Sequence, residues 1–151
     1  MKLSVIAAGT AVAASLVVGA AAQTVGPNQG YLPRLADIMA VIQLRHAKLY
    51  FAGKARNWAM ADYALGQIHS SLQDAAMLYP GIPVTNMSIV ADPIRRLSDV
   101  IARKDAAKFE AVYADLTTAC NGCHQANDRS YIAIKSPTAN IFSNQSFAAP
   151  K

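Results

Sequence analysis

The chain has 151 residues, 53% of them hydrophobic and 15% charged, with 14 basic against 9 acidic side chains for a formal net charge of +5. That is room for one domain with one core, and the modest positive excess suits either solubility or docking on an acidic partner. The basic residues are scattered and no aromatic residues interleave with them, so the pattern excludes a nucleic-acid footprint.

The N-terminus reads as a secretory signal. Lys2 gives a short positive region, Leu3 to Val18 is apolar, and Ala20-Ala21-Ala22 satisfies the small-x-small rule, which puts the cut before Gln23. The alternative is a retained membrane anchor. Ser4, Gly9, Thr10, Ser15 and Gly19 interrupt the apolar run and favour cleavage. The expected organisation is a signal peptide over 1–22 and a single domain over 23–151, with a net charge of +4 and no membrane span.

Thr24 to Gly30 is a polar lead-in. Pro33 is placed to open a helix that runs to about Phe51 and stops at Gly53, with Leu35, Ile38, Met39, Ile42, His46 and Leu49 along one apolar face. Asn57 is positioned to cap a second helix, in which Trp58, Ala61, Leu65, Ile68, Leu72, Ala75 and Tyr79 trace a stripe that Pro80-Gly81 ends. Residues 80–91 read as the one long loop. Asp92-Pro93 then gives an N-cap and a first-turn proline for a third helix, marked by Ile94, Leu97, Val100 and Ile101. After a break near Lys104, Asp105 caps a fourth helix whose face is Phe109, Val112, Tyr113, Leu116 and Cys120. Sustained β alternation and internal repeats are missing, so the expectation is an all-α four-helix bundle. A tail over 129–151 follows, with Tyr131, Ile132, Ile134, Ile141, Phe142 and Phe147 available to pack on the body.

The fourth helix leads into Cys120-Asn121-Gly122-Cys123-His124, which holds both cysteines of the chain. C-x-x-C-H is the signature of covalent c-type haem attachment. Two thiols add to the two vinyl groups of the haem, and the adjacent imidazole reaches the iron as an axial ligand. Gly122 would let the backbone pass close to the porphyrin edge. A zinc site would need about four ligands, and His46 and His69 are far off in sequence. A redox dithiol belongs near a βαβ pattern, which is absent, and a Cys120–Cys123 disulfide would close too short a loop to stabilise much. The motif therefore implies one covalently attached haem c with its iron, and with the export signal it implies a periplasmic address.

An exported chain of four helices with one C-x-x-C-H at the end of the last resembles the class II c-type cytochromes, the group of cytochrome c′ and its low-spin relatives. The resemblance covers roughly residues 31–128 by architecture, and Cys120, Cys123 and His124 by motif. It implies a haem near the end of the fourth helix, with the sixth iron position facing the first helix. Low-spin members fill that position with a first-helix methionine, and cytochrome c′ leaves it open. A homodimer through an exposed apolar strip of the first helix is also in keeping with the resemblance. The chain departs from the family in two places. It has Asn121 where a basic residue is common, and 27 residues follow His124 where members usually end soon after the motif.

In an antiparallel bundle the start of the first helix lies beside the end of the fourth, so Met39 is the candidate sixth ligand, against the alternative of core filler. His46 is the rival, as ligand, propionate partner or surface residue; Met87 is the best placed of Met60, Met77 and Met87, and His69 is structural or exposed. Arg34, Arg45 and Lys48 could pair with propionates or simply face water. With His124 and Met39 both on the iron, the expected function is electron transfer to and from redox partner proteins, with no enzymatic activity, since no distal acid–base set is evident. The alternative is an open sixth site that binds or senses NO or CO. The tail would cover a haem edge or a bundle seam.

Overall fold

The computed structural model describes residues 32–82 and 84–149; the signal peptide expected over 1–22 and the expected polar lead-in lie outside the described residues. Four helices follow one another: α1 (Leu35–Lys54), α2 (Trp58–Leu78), α3 (Val84–Ala102) and α4 (Ala106–Ala126). Short connections make sequential helices antiparallel neighbours, and the result is the four-helix bundle expected from the sequence. α1 packs chiefly on α2 and α3 chiefly on α4, with α2 against α3 and a sparser α1–α4 seam closing the ring.

The helix ends follow from local chemistry. Asn57 accepts a hydrogen bond from the Met60 N–H at 3.2 Å, and Asp105 accepts one from the Lys108 N–H at 3.1 Å, so both act as N-caps where the sequence puts them. α1 does not stop at Gly53. An alanine Cβ there would lie 2.0 Å from Cζ of Phe109, so the glycine admits the ring and the helix continues to Lys54. Arg56, Lys104 and Asp128, each with φ near +55°, turn the chain out of α1, α3 and α4. In each case the next amide reaches back to close a Schellman motif: Asn57 to Ala52, Asp105 to Val100, and Arg129 to His124.

The largest correction concerns α3. Residues 80–91 are not one loop: the helix begins at Val84 and contains Pro93. Asp92 is therefore not an N-cap but an exposed mid-helix carboxylate paired with Arg95 and Arg96. The apolar stripe explains this. Val90 is buried and continues Ile94, Leu97, Val100 and Ile101 one turn toward the N-terminus, so burial outweighs the proline's cost. The stripes of the other helices are largely as expected. Ile38, Ile42, His46 and Leu49 of α1, Ala61, Leu65, Ile68 and Ala75 of α2, and Phe109, Tyr113 and Leu116 of α4 are buried.

The tail packs on the body along the length of the bundle. It touches α4 at Asn121 and His124, and α1 at Lys48 and Phe51, where the Lys48 ammonium lies 5.3 Å from the Phe142 ring centre and the Phe51 and Phe147 rings meet edge-on. It then reaches the α1–α2 junction, where Asn57 donates to the Ala148 carbonyl. Among the described residues no helix is long and apolar enough to cross a membrane.

Candidate functional site at the end of α4

Cys120 to His124 occupy the last turns of α4, all half-buried. One end of the bundle gathers around them. Tyr79, just past α2, donates its hydroxyl to the Pro33 carbonyl before α1 at 2.5 Å. Ile89 of α3 is the nearest side chain to Gly122, 3.9 Å from where a Cβ would sit. That is ordinary contact, so unlike Gly53 the motif glycine has no neighbour among the described residues that demands it.

Burial raises both thiols, Cys120 to about 11, with the nearby Cys123 adding to the effect. They also sit at the C-terminal end of a helix, where the dipole disfavours an anion. A redox dithiol or nucleophile needs a lowered thiol pKa, so the site opposes that chemistry. A thioether carries no charge and suffers no such penalty. Among the described residues no three His, Cys, Asp or Glu side chains converge on a metal position, so a zinc reading finds no ligand set.

The His124 Nδ1 lies 2.7 Å from the Ile132 carbonyl oxygen. A carbonyl only accepts, so Nδ1 carries the proton and the lone pair is left on Nε2. That is the arrangement in which an imidazole is held and made basic for a metal by its other nitrogen. Asn121 brackets the same tail segment. Its Nδ2 donates to the Ile134 carbonyl at 2.8 Å and its Oδ1 accepts from the Ile134 N–H at 2.7 Å. Asn127 donates to the Cys123 carbonyl at 2.8 Å and approaches its sulfur at 3.5 Å. The donor set thus fits a covalently attached haem: two neutral thiols one turn apart, a glycine between them with space beside it, and a histidine with one nitrogen fixed and the other available.

The register between α1 and α4 follows from two contacts. Lys54 pairs with Glu110, and the His46 Nε2 lies 2.9 Å from the Thr117 hydroxyl. Two further turns, about 10 Å along each antiparallel axis, bring Met39 on α1 to the level of Cys123 and His124 on α4. Met39 is half-buried against the core.

His46 is not a spare ligand. The Thr117 hydroxyl, which reaches the Tyr113 carbonyl, lies 2.9 Å from His46 Nε2, while the Tyr113 hydroxyl lies 2.8 Å from Nδ1 and also reaches the His46 carbonyl at 3.0 Å. Both ring nitrogens are spent in the core, and burial pushes the imidazole down to about 4. The basic candidates are also engaged or remote from a pairing role. Arg45 donates to the Gln67 carbonyl and the Ser71 hydroxyl of α2, Lys48 covers Phe142, and Arg34 precedes α1 as its N-cap position. His69 and Met77 are exposed, Met60 meets Gln145 of the tail, and the Met87 side chain lies outside the described residues. Asn121 and the Ile132–Ile134 segment were not legible as site residues, because no periodicity links α4 to a tail eight or more residues on. Comparison with protein-family models, curated proteins and solved structures found no match to this chain.

Proposed function

We propose that the chain is a periplasmic monohaem c-type cytochrome that carries electrons, with haem c attached through Cys120 and Cys123 and His124 as the proximal axial ligand. The observation that carries the reading is the state of His124 within the C-x-x-C-H motif: Nδ1–H is committed to the Ile132 carbonyl, which leaves the Nε2 lone pair for iron. When bound, the haem supplies a one-electron couple whose potential follows its axial ligands and surroundings. The residues of the chain attach it, orient the imidazole and exclude water. Met39 is the sixth ligand in this proposal, supported by its level on α1 opposite His124 and by the engagement of both His46 nitrogens elsewhere. Filling both axial positions leaves no vacancy for a substrate, so the remaining tasks are to set the potential and to dock. The net positive charge suits a redox partner with an acidic surface, and exposed Val41 and Leu44 leave α1 an apolar strip for a second copy.

The test is the optical spectrum of the protein expressed with an export signal and haem-maturation machinery, oxidised and reduced, with and without CO. Sharp α and β bands that do not move with CO, together with a weak sulfur-to-iron band lost in Met39→Ala, are the expected result. Broad bands that shift with CO would replace the sixth-ligand assignment with an open, gas-binding site. A protein with no haem absorption overturns the proposal.

A further inference from the structure

The two places where the chain departs from the class II pattern, Asn121 and the long tail, meet each other. Asn121 offers its amide edge to the backbone of Ile134 and makes both available hydrogen bonds, N–H to Oδ1 and carbonyl to Nδ2. His124 lies three residues further on α4 and takes the carbonyl of Ile132, two residues earlier in the tail. These spacings match. Residues i and i+3 of a helix share a face, and in an extended chain the carbonyls of residues two apart point the same way, about 6.7 Å from one to the next. The chain turns back onto α4 through the Schellman closure, in which the Arg129 N–H caps the His124 carbonyl at 2.7 Å. His124 is thereby held at both its backbone and its ring by the segment that Asn121 fastens.

We infer that Asn121 is a positioning residue that acts on His124 through the tail: by pinning Ile134 it keeps the Ile132 carbonyl on Nδ1 and so fixes the tautomer, orientation and basicity of the imidazole. This rests on the proposal that His124 ligates haem iron. An Nδ1–H bonded to a carbonyl makes Nε2 a stronger donor, which favours ferric over ferrous iron and lowers the reduction potential. Removing the clamp frees the carbonyl, weakens the donor and raises the potential. A bidentate hold on one residue also resists local opening, because both bonds must break before the segment leaves α4.

The experiment compares haem-loaded wild type with Asn121→Ala and with Asn121→Asp, which keeps the acceptor for the Ile134 N–H and the side-chain volume. The readouts are the reduction potential, the exchange rate of the His124 Nδ1–H proton by NMR in the reduced protein, and tryptic cleavage after Lys135. Expected for Asn121→Ala are a raised potential, Nδ1–H exchange at least about tenfold faster and accelerated cleavage, with Asn121→Asp between it and wild type. Faster cleavage with potential and Nδ1–H exchange unchanged would make Asn121 a fastener of the tail alone and overturn the inference. Should the wild type bind no haem, the proposal of the preceding section fails by itself. The clamp is then read on the haem-free chain from the imidazole nitrogen shifts: an Nδ1–H tautomer in wild type that becomes mixed in Asn121→Ala retains it, and an unchanged tautomer overturns it.

Discussion

His46 shows how a single buried group ties the fold to pH. Its ring is enclosed by Tyr113 and Thr117, with its centre 4.5 Å from that of the Tyr113 ring and the planes tilted by 32°, all between α1 and α4. Burial lowers its pKa from 6.5 to about 4, because an imidazolium there would lose its hydration. Between those values the unfolded chain takes up a proton that the native chain refuses, so native stability falls as the pH falls. A shift of that size corresponds to roughly 3 kcal/mol, fully present above pH 6.5 and lost on the way to about pH 4. Urea unfolding of wild type and His46→Gln across this range isolates the effect from other acid-sensitive groups, such as the Asp92 carboxyl that Arg95 and Arg96 hold below its usual range. The expected outcome is a wild-type curve that steepens through pH 6 to 4.5 and a variant, less stable at neutral pH, whose slope there is shallower. Parallel curves would mean that His46 is protonated without cost in the fold.

The elements were legible to different degrees, for physical reasons. α1, α2 and α4 were readable because each carries a stripe at helical spacing, and α2 and α4 add a cap whose hydrogen bond is local: Asn57 and Asp105 act three residues ahead. The C-x-x-C-H motif was readable for the same reason, being five consecutive residues. Gly53 misled because glycine serves two ends, stopping a helix or admitting a neighbour, and only the Phe109 ring decides between them. The contacts of His46 to Thr117 and of His124 to Ile132 are set by tertiary placement and leave no periodic trace. Asp92-Pro93 misled most, since a proline after an aspartate marks a helix start in isolation. The continuous α3 makes an opposite prediction. As a mid-helix residue Pro93 denies the Ile89 carbonyl its partner, a cost of about 3 kcal/mol in a helix interior, partly offset by its own burial. Pro93→Ala is thus expected to raise stability by about 1 kcal/mol in thermal or denaturant unfolding. A proline at the first turn of a helix starting there would give no gain on removal.

At the scale of the whole molecule, four helices do not account for the structure without the tail. The α1–α4 seam is the sparsest in the ring, and the tail is fastened at both ends of the bundle, by Asn121 and His124 at one and by Asn57 at the other. Asn57 serves two elements at once, its oxygen capping α2 and its nitrogen holding the Ala148 carbonyl. Between these points Phe147 is buried, with its ring centre 5.8 Å from that of Phe51 and 5.7 Å from that of Phe142. Such burial makes the tail part of the cooperative core rather than a ribbon laid over it. Phe147→Ala should cost about 3 kcal/mol, visible as a lower midpoint of a single unfolding transition followed by helical circular dichroism. An unchanged global midpoint, with loss of protection confined to the last residues, would show a tail that frays independently of the bundle. The clamp at the other end makes a separate demand on the same variant. The Ile134 amide is held by the Asn121 side chain and not by the aromatic cluster, so its exchange should slow or quicken only with global stability. If Ile134 instead exchanges as freely as the last residues, the two anchors are one unit, and His124 is positioned by the whole tail rather than by its first turn against α4.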